Sequence, residues 1–116
     1  MAILKKDDIL NAQDSKTVTL EVPEWGGEVI IATMSGFARD RFEASIMGKN
    51  GGMNMLNVRA KMVAACLVDE EGNLLFSEND ILRLGKKSCA ALDRIFEEAQ
   101  KLNRLGDQDI ENLAKN

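Results

Sequence analysis

The hydrophobic pattern changes its period once along the chain, and that change limits the possible folds more than any other feature. Thr17-Val18-Thr19-Leu20-Glu21-Val22 alternates polar and apolar residues, which places Val18, Leu20 and Val22 on one face of a strand. Pro23-Glu24-Trp25-Gly26-Gly27 interrupts it, and Glu28-Val29-Ile30-Ile31-Ala32-Thr33 is a second β-rich run. A proline and a glycine pair between two such runs predict a hairpin with a loop of several residues. A lone hairpin is marginal in water, so later elements must cover it.

From Ser35 onward the period is helical. Ser35 is placed to cap a helix whose stripe holds Ala38, Phe42 and Ile46, and Gly48-Lys49-Asn50-Gly51-Gly52 should end it. A second helix is expected from about Asn54 to Leu67, with Met55, Val58, Met62 and Cys66 on one face. Asp69-Glu70-Glu71-Gly72-Asn73 is a turn, and Leu74-Leu75-Phe76 leaves it extended. Ser77 with Asp80 three residues on approximates a capping box, opening a short helix that Gly85 should close. Ser88 to Arg104 is the clearest helix, with Leu92, Ile95, Phe96, Ala99 and Leu102 forming its apolar stripe. Gly106 should stop it, and Asp107 caps a last short helix carrying Ile110 and Leu113. A further short helical piece is expected near Asp7 to Ala12. Strands first and helices after give an α+β fold: an N-terminal β-hairpin followed by a mainly helical bundle of about five helices.

With 116 residues, the whole chain is expected to form one domain with one core. Aromatic residues are only 4% of it, so Leu, Ile, Val, Ala and Met must fill that core. The formal net charge of −4 supplies no positive field for a phosphate backbone, which argues against nucleic acid as a partner. No apolar run approaches the roughly 20 residues of a membrane span. Met1 to Asp8 lacks the apolar stretch of a signal peptide, so a cytosolic protein is expected, with no membrane partner. Cys66 and Cys89 lie among apolar residues and are expected to be small core side chains, although sequence fixes no distance between them.

The chemistry that can be sought in the residues is sparse. The sequence has no histidine, which removes Ser-His and Cys-His nucleophile pairs and every His-containing metal site. Two cysteines cannot form a four-ligand zinc site on their own. Gly85-Lys86-Lys87-Ser88 departs from a phosphate loop, because Asp80 stands where the first glycine is required. The Asp69 turn lacks the oxygen-ligand spacing of a calcium loop. Glu97-Glu98 fall on the polar side of their helix and are expected to be a solvated face. No catalytic residue, metal or cofactor is therefore expected.

Two features exceed what core-building requires. Trp25 is the sole tryptophan and sits in a hairpin loop, where it either folds back on a helix or serves as an interface anchor. Met47, Met53 and Met55 surround the glycine-rich loop, a composition that suits an adaptable binding surface and equally suits core filling. Trp25, Met47 and Met53, with Ile110 and Leu113 of the terminal helix, are the candidate partner-binding residues.

Pro23-Glu24-Trp25-Gly26 followed by Ser35-Gly36-Phe37-Ala38-Arg39-Asp40-Arg41-Phe42-Glu43 resembles the tail assembly chaperones of long-tailed bacteriophages. Asn57-Val58-Arg59-Ala60-Lys61, Leu67 to Asn73, Phe76 to Asp80, Leu92 to Phe96 and Leu102-Asn103 continue the likeness, which spans about Thr17 to Asn116. The resemblance implies a non-structural assembly factor acting in the host cytoplasm. Such a factor would bind the tape measure protein, keep it soluble and help recruit tail tube subunits, self-associating as it does so. It also implies a longer product made by ribosomal frameshifting. Ala114-Lys115-Asn116 permits an A-AAA-AAC slippery run, and the codons themselves decide whether one is present. The family carries no catalytic motif. A small head–tail connector or tail-completion protein is the alternative.

Overall fold

The computed structural model describes residues 2–47 and 55–104. The expected Gly48–Gly52 break, Met53, and the terminal helix with Ile110 and Leu113 lie outside these residues. The α+β class expected from the sequence is the class observed. In chain order the described elements are α1 (Lys6–Leu10), β1 (Thr17–Val22), β2 (Gly27–Ala32), α2 (Gly36–Ile46), α3 (Val58–Cys66), β3 (Leu67–Val68), α4 (Ile81–Leu84) and α5 (Cys89–Leu102).

β1 and β2 pair antiparallel from Thr17↔Ala32 to Val22↔Gly27. Their connection is a single 3-10 turn, Pro23–Trp25, closed by Gly26 at φ 72°, a left-handed conformation that favours glycine. Alternation places Val18, Leu20 and Val22 on the covered face, with Val22 fully buried. The sheet has a third strand that the helical pattern concealed. β3 pairs antiparallel with β2 through Ile30↔Val68 and Ile31↔Leu67, where the sequence predicts helix up to Leu67. The apolar run Ala64-Ala65-Cys66-Leu67-Val68 satisfies either period, and Leu67 turns to ψ 129° to enter the sheet. α3 also starts later than expected. Asn57 adopts φ 59°, which a helix cannot continue through, so Met55 packs on the core from outside the helix.

α5 spreads its stripe across the other elements. Ala91, Leu92, Ile95 and Ala99 are buried against α3 and the hairpin, joined by Ile31, Ile46, Met62, Val63 and Cys66. The caps read from sequence are present, with Ser35 Oγ accepting from Ala38 N–H at 3.1 Å and Ser88 Oγ accepting from Ala91 N–H at 3.4 Å. Asp80 Oδ2 accepts from Ser77 N–H at 2.9 Å. Asp69 Oδ1 accepts from the N–H groups of Glu71 and Asn73, both at 2.9 Å, so this carboxylate serves to close its turn.

One expectation is corrected. Cys89 is exposed although it stands three residues before Leu92, because as the first residue of α5 it lies beyond the packed length of the stripe; Cys66 is buried, and both thiols are free. Gly85 ends α4 as expected, and does so with right-handed dihedrals (φ −62°). What it supplies is space: a Cβ there would stand 2.7 Å from Asn57 Oδ1.

Asn103, just past α5, ties the seam between the elements. Its Oδ1 accepts from Met34 N–H at 2.8 Å, and its Nδ2 donates to Ala99 O at 2.9 Å and reaches Cys66 Sγ at 3.6 Å. Burial pushes the Cys66 thiol up to about 12, with the Asn103 contact opposing the rise. Asn103→Ala should therefore lower unfolding stability by about 1–3 kcal/mol, the cost of leaving Met34 N–H unpaired. In the wild type a thiol reagent should titrate Cys89 readily and Cys66 only on denaturation. In the variant Cys66 should be modified faster under native conditions, as followed by mass spectrometry with time.

Candidate protein-binding surface

Two grooves lie side by side on one face and share Phe76 as a lining residue. The first has a volume of about 120 Å³ and runs between α2, α3 and the 74–81 segment. α2 contributes Phe37, Ala38, Arg41, Phe42 and Ser45, which the 3.6-residue period sets on adjoining faces one and two turns apart. Phe42 and Ala64 form its floor as part of the core. Phe37 stands 71% exposed at its mouth, with the Arg41 guanidinium 5.4 Å from its ring centroid. Arg41 also pairs with Glu78 across one end of the groove. Both side chains of that pair are about half or more exposed, so it holds shape and contributes little stability. Lys61 Nζ donates to Ser45 O at 2.9 Å, and partial burial lowers its pKa. Lys61 has no carboxylate partner among the described residues.

The second groove is lined by Trp25, Phe76 and Leu84, with Asp80, Arg83, Lys86 and Lys87 at its margin. Trp25 is 36% exposed, so it packs on its own fold and still presents ring surface to solvent. Its turn is fastened to α5 by Arg94 Nη2 donating to Glu24 Oε2 at 2.8 Å. That bond holds the Glu24 carboxyl below the usual carboxylate range. Asp80 is lowered mainly by the Ser77 N–H and then by Arg83, which it pairs. With Asp80 spent on Ser77 and Arg83, Lys86 and Lys87 are left without acidic partners among the described residues. The margin is therefore net positive on a chain that is net negative overall. An apolar trough with an unneutralised basic rim suits a protein segment whose apolar face is flanked by acidic residues.

The structure brings together only part of the sequence-predicted set. Trp25 lies in the second groove, whereas Met47, the exposed residue that ends α2, lines neither. Met53, Ile110 and Leu113 lie outside the described residues. Phe37, Phe76 and Leu74 were not singled out from sequence. Phe37 had a detectable signal, because it stands one residue off the Ala38-Phe42-Ile46 stripe and a helix cannot bury both faces against one core.

Among the described residues, no group of three or more Cys, Asp or Glu could hold a metal ion, and no helix is long and apolar enough to cross a membrane. The fold is that of a known solved class: it matches the bacteriophage HK97 tail assembly chaperone with a TM-score of 0.61. Identity is 21%, with 87% of this chain and 95% of that chain covered, so the likeness speaks for the fold. Among curated proteins none matches. The sequence profile of the phage tail assembly chaperones matches residues 5–116, and the chain belongs to that family.

The single tryptophan gives a direct readout of the second groove. Emission of Trp25 should shift to shorter wavelength, and quenching by acrylamide should fall, when a tail protein partner is added. Reversing Lys86 and Lys87 to Glu should weaken that response without changing the melting temperature. An unshifted spectrum on saturable binding would place the contact elsewhere.

Proposed function

We propose that this chain binds the tape measure protein during tail assembly, keeps it soluble and helps bring tail tube subunits to it, without catalysing a reaction. Family membership supports the assembly role. The observation that carries the tape measure as partner is the pair of adjoining apolar grooves around Phe76, one with a basic margin. A long helical protein exposes apolar faces until the tube encloses it, and such faces aggregate unless covered. Many copies of a small fold, each binding modestly, cover that length through multivalency and leave as tube subunits polymerise.

Self-association of the chain along its partner belongs to the same proposal, as does a site of action in the host cytoplasm. A frameshifted longer form would add the contact to tube subunits. The two groove-lining aromatics Trp25 and Phe76 are the proposed anchors, and Met47, Met53, Ile110 and Leu113 remain proposed contacts.

Co-expression tests the proposal. The soluble fraction of tape measure protein should rise several-fold when this chain is made with it, and the two should purify together. No rise in solubility would sink the tape measure assignment. Mass spectrometry of purified virions separates the alternative: a head–tail connector is retained in particles, whereas an assembly factor is absent from them.

A further inference from the structure

The three-stranded sheet has one closed edge and one open one. Beyond β3, Val68 bridges Leu74 and Leu75 N–H donates to Leu67 O at 3.0 Å, so the chain itself covers that side. β1 forms the other edge, and among the described residues nothing pairs with its outer side. Residues 2–15 are exposed throughout and add no strand there. The ladder fixes which groups face outward. Lys16 N–H donates to Thr33 Oγ1 at 3.1 Å and Thr33 N–H to Lys16 O at 2.9 Å, which roots the front segment and makes this a hydrogen-bonded pair. Bonded pairs alternate along an antiparallel ladder, so Val18, Leu20 and Val22 spend their main-chain groups on β2. Thr17, Thr19 and Glu21 aim theirs away from it, and all three residues are exposed.

An open edge invites strand pairing, and proteins that avoid it use proline, lysine, a bulge or a very short strand. β1 has none of these: Thr17–Val22 is six residues long, in unbroken register, with no proline or lysine. Its core face is also incompletely covered. Val18 and Leu20 are only partly buried, whereas Val22 on the same face is fully buried. The other face carries the one cross-strand pair of the ladder in which both residues are charged, and both are acidic: Glu21 stands directly opposite Glu28. Like charges so placed destabilise the pairing. Neither forms an ion pair among the described residues, and Arg94, on which Glu21 acts through space, is hydrogen-bonded to Glu24.

We propose that the open edge of β1 takes up an extended segment of the tape measure protein as a fourth strand, with apolar side chains over Val18 and Leu20 and a lysine or arginine beside Glu21. Main-chain bonds to Thr17, Thr19 and Glu21 supply the affinity, and alternation of apolar and basic residues supplies the selection. Charge decides between occupants. A second β1 brings another acidic pair to the seam, whereas a basic strand relieves the one already there. This rests on the assembly role proposed above and gives it a contact apart from the two grooves.

Two substitutions separate this edge from the fold. Glu21→Lys removes the opposed carboxylates, so the variant should melt no lower than the wild type while binding weakens about three- to tenfold. Thr19→Pro removes an outward N–H and no ladder bond, a position where an edge strand tolerates proline, and should abolish binding. Should Thr19→Pro melt early, Glu21→Lys decides alone. The probe is an array of short overlapping peptides covering the tape measure and tail tube proteins, titrated with the full chain. Bound tape measure peptides should alternate apolar and basic residues. In their presence the Thr17, Thr19 and Glu21 amides should exchange more slowly with solvent by NMR. The proposal is overturned if only tube peptides or none bind, if Glu21→Lys binds as the wild type does, or if those amides are already slow in the free chain. A change in the sedimentation of the chain alone on either substitution would make a second copy the occupant, and would also overturn it. Solubility of co-expressed tape measure protein is read separately. Solubilisation that neither substitution weakens overturns only the strand proposal, and peptide binding at the edge without solubilisation overturns only the chaperone assignment.

Discussion

The packing of the α5 stripe onto α3 and the hairpin is the contact on which the rest depends. A three-stranded sheet with one short strand cannot keep its covered face dry alone. Ala91, Leu92, Ile95 and Ala99 close that face, and the small alanines let α5 lie close to Met62, Val63 and Cys66. α2, fixed by Phe42 and Ile46 in the same core, has no room to rotate its second face inward. Phe37 is left outside for that reason, and the apolar groove beside it follows from how the core is filled.

The polar contacts divide between those that fix the fold and those that decorate it. Asn103 joins the segment after β2 to the end of α5 and to the Cys66 thiol, and among the described residues no buried side-chain nitrogen or oxygen lacks a partner. The ion pairs Arg41–Glu78 and Arg94–Glu24 are more exposed and set local shape. They hold the walls of the two grooves at the spacing seen.

Much of this was legible in the residues. The hairpin, the stripes of α2 and α5 and the caps at Ser35 and Ser88 rest on local rules of period and hydrogen bonding, and those rules operate in the folded protein. Leu67-Val68 was missed because a short apolar run has no period of its own, and only the free edge of β2 decides that it becomes a strand. Gly85 ends α4 as its sequence position predicts, but its crowding by Asn57 is not legible locally, since it comes from a residue 28 positions away. The apolar neighbours of Cys89 suggest an interior position, but it is the first residue of α5, where the helix has not yet reached the core. Of the candidate site, Trp25 was visible as an oddity of composition. Phe76 was not, because a groove is a relation between elements and no single segment contains it.

The rooting of the front segment at Lys16 and Thr33 divides the chain into two kinds of sequence. Every buried residue among those described lies outside residues 2–15, so the core is built without that segment. Residues 2–15 owe the core nothing, and a change there alters which surfaces the molecule meets while its architecture stays the same. Such a segment can adjust to a changing partner in small steps, with no loss of stability to be offset at each one.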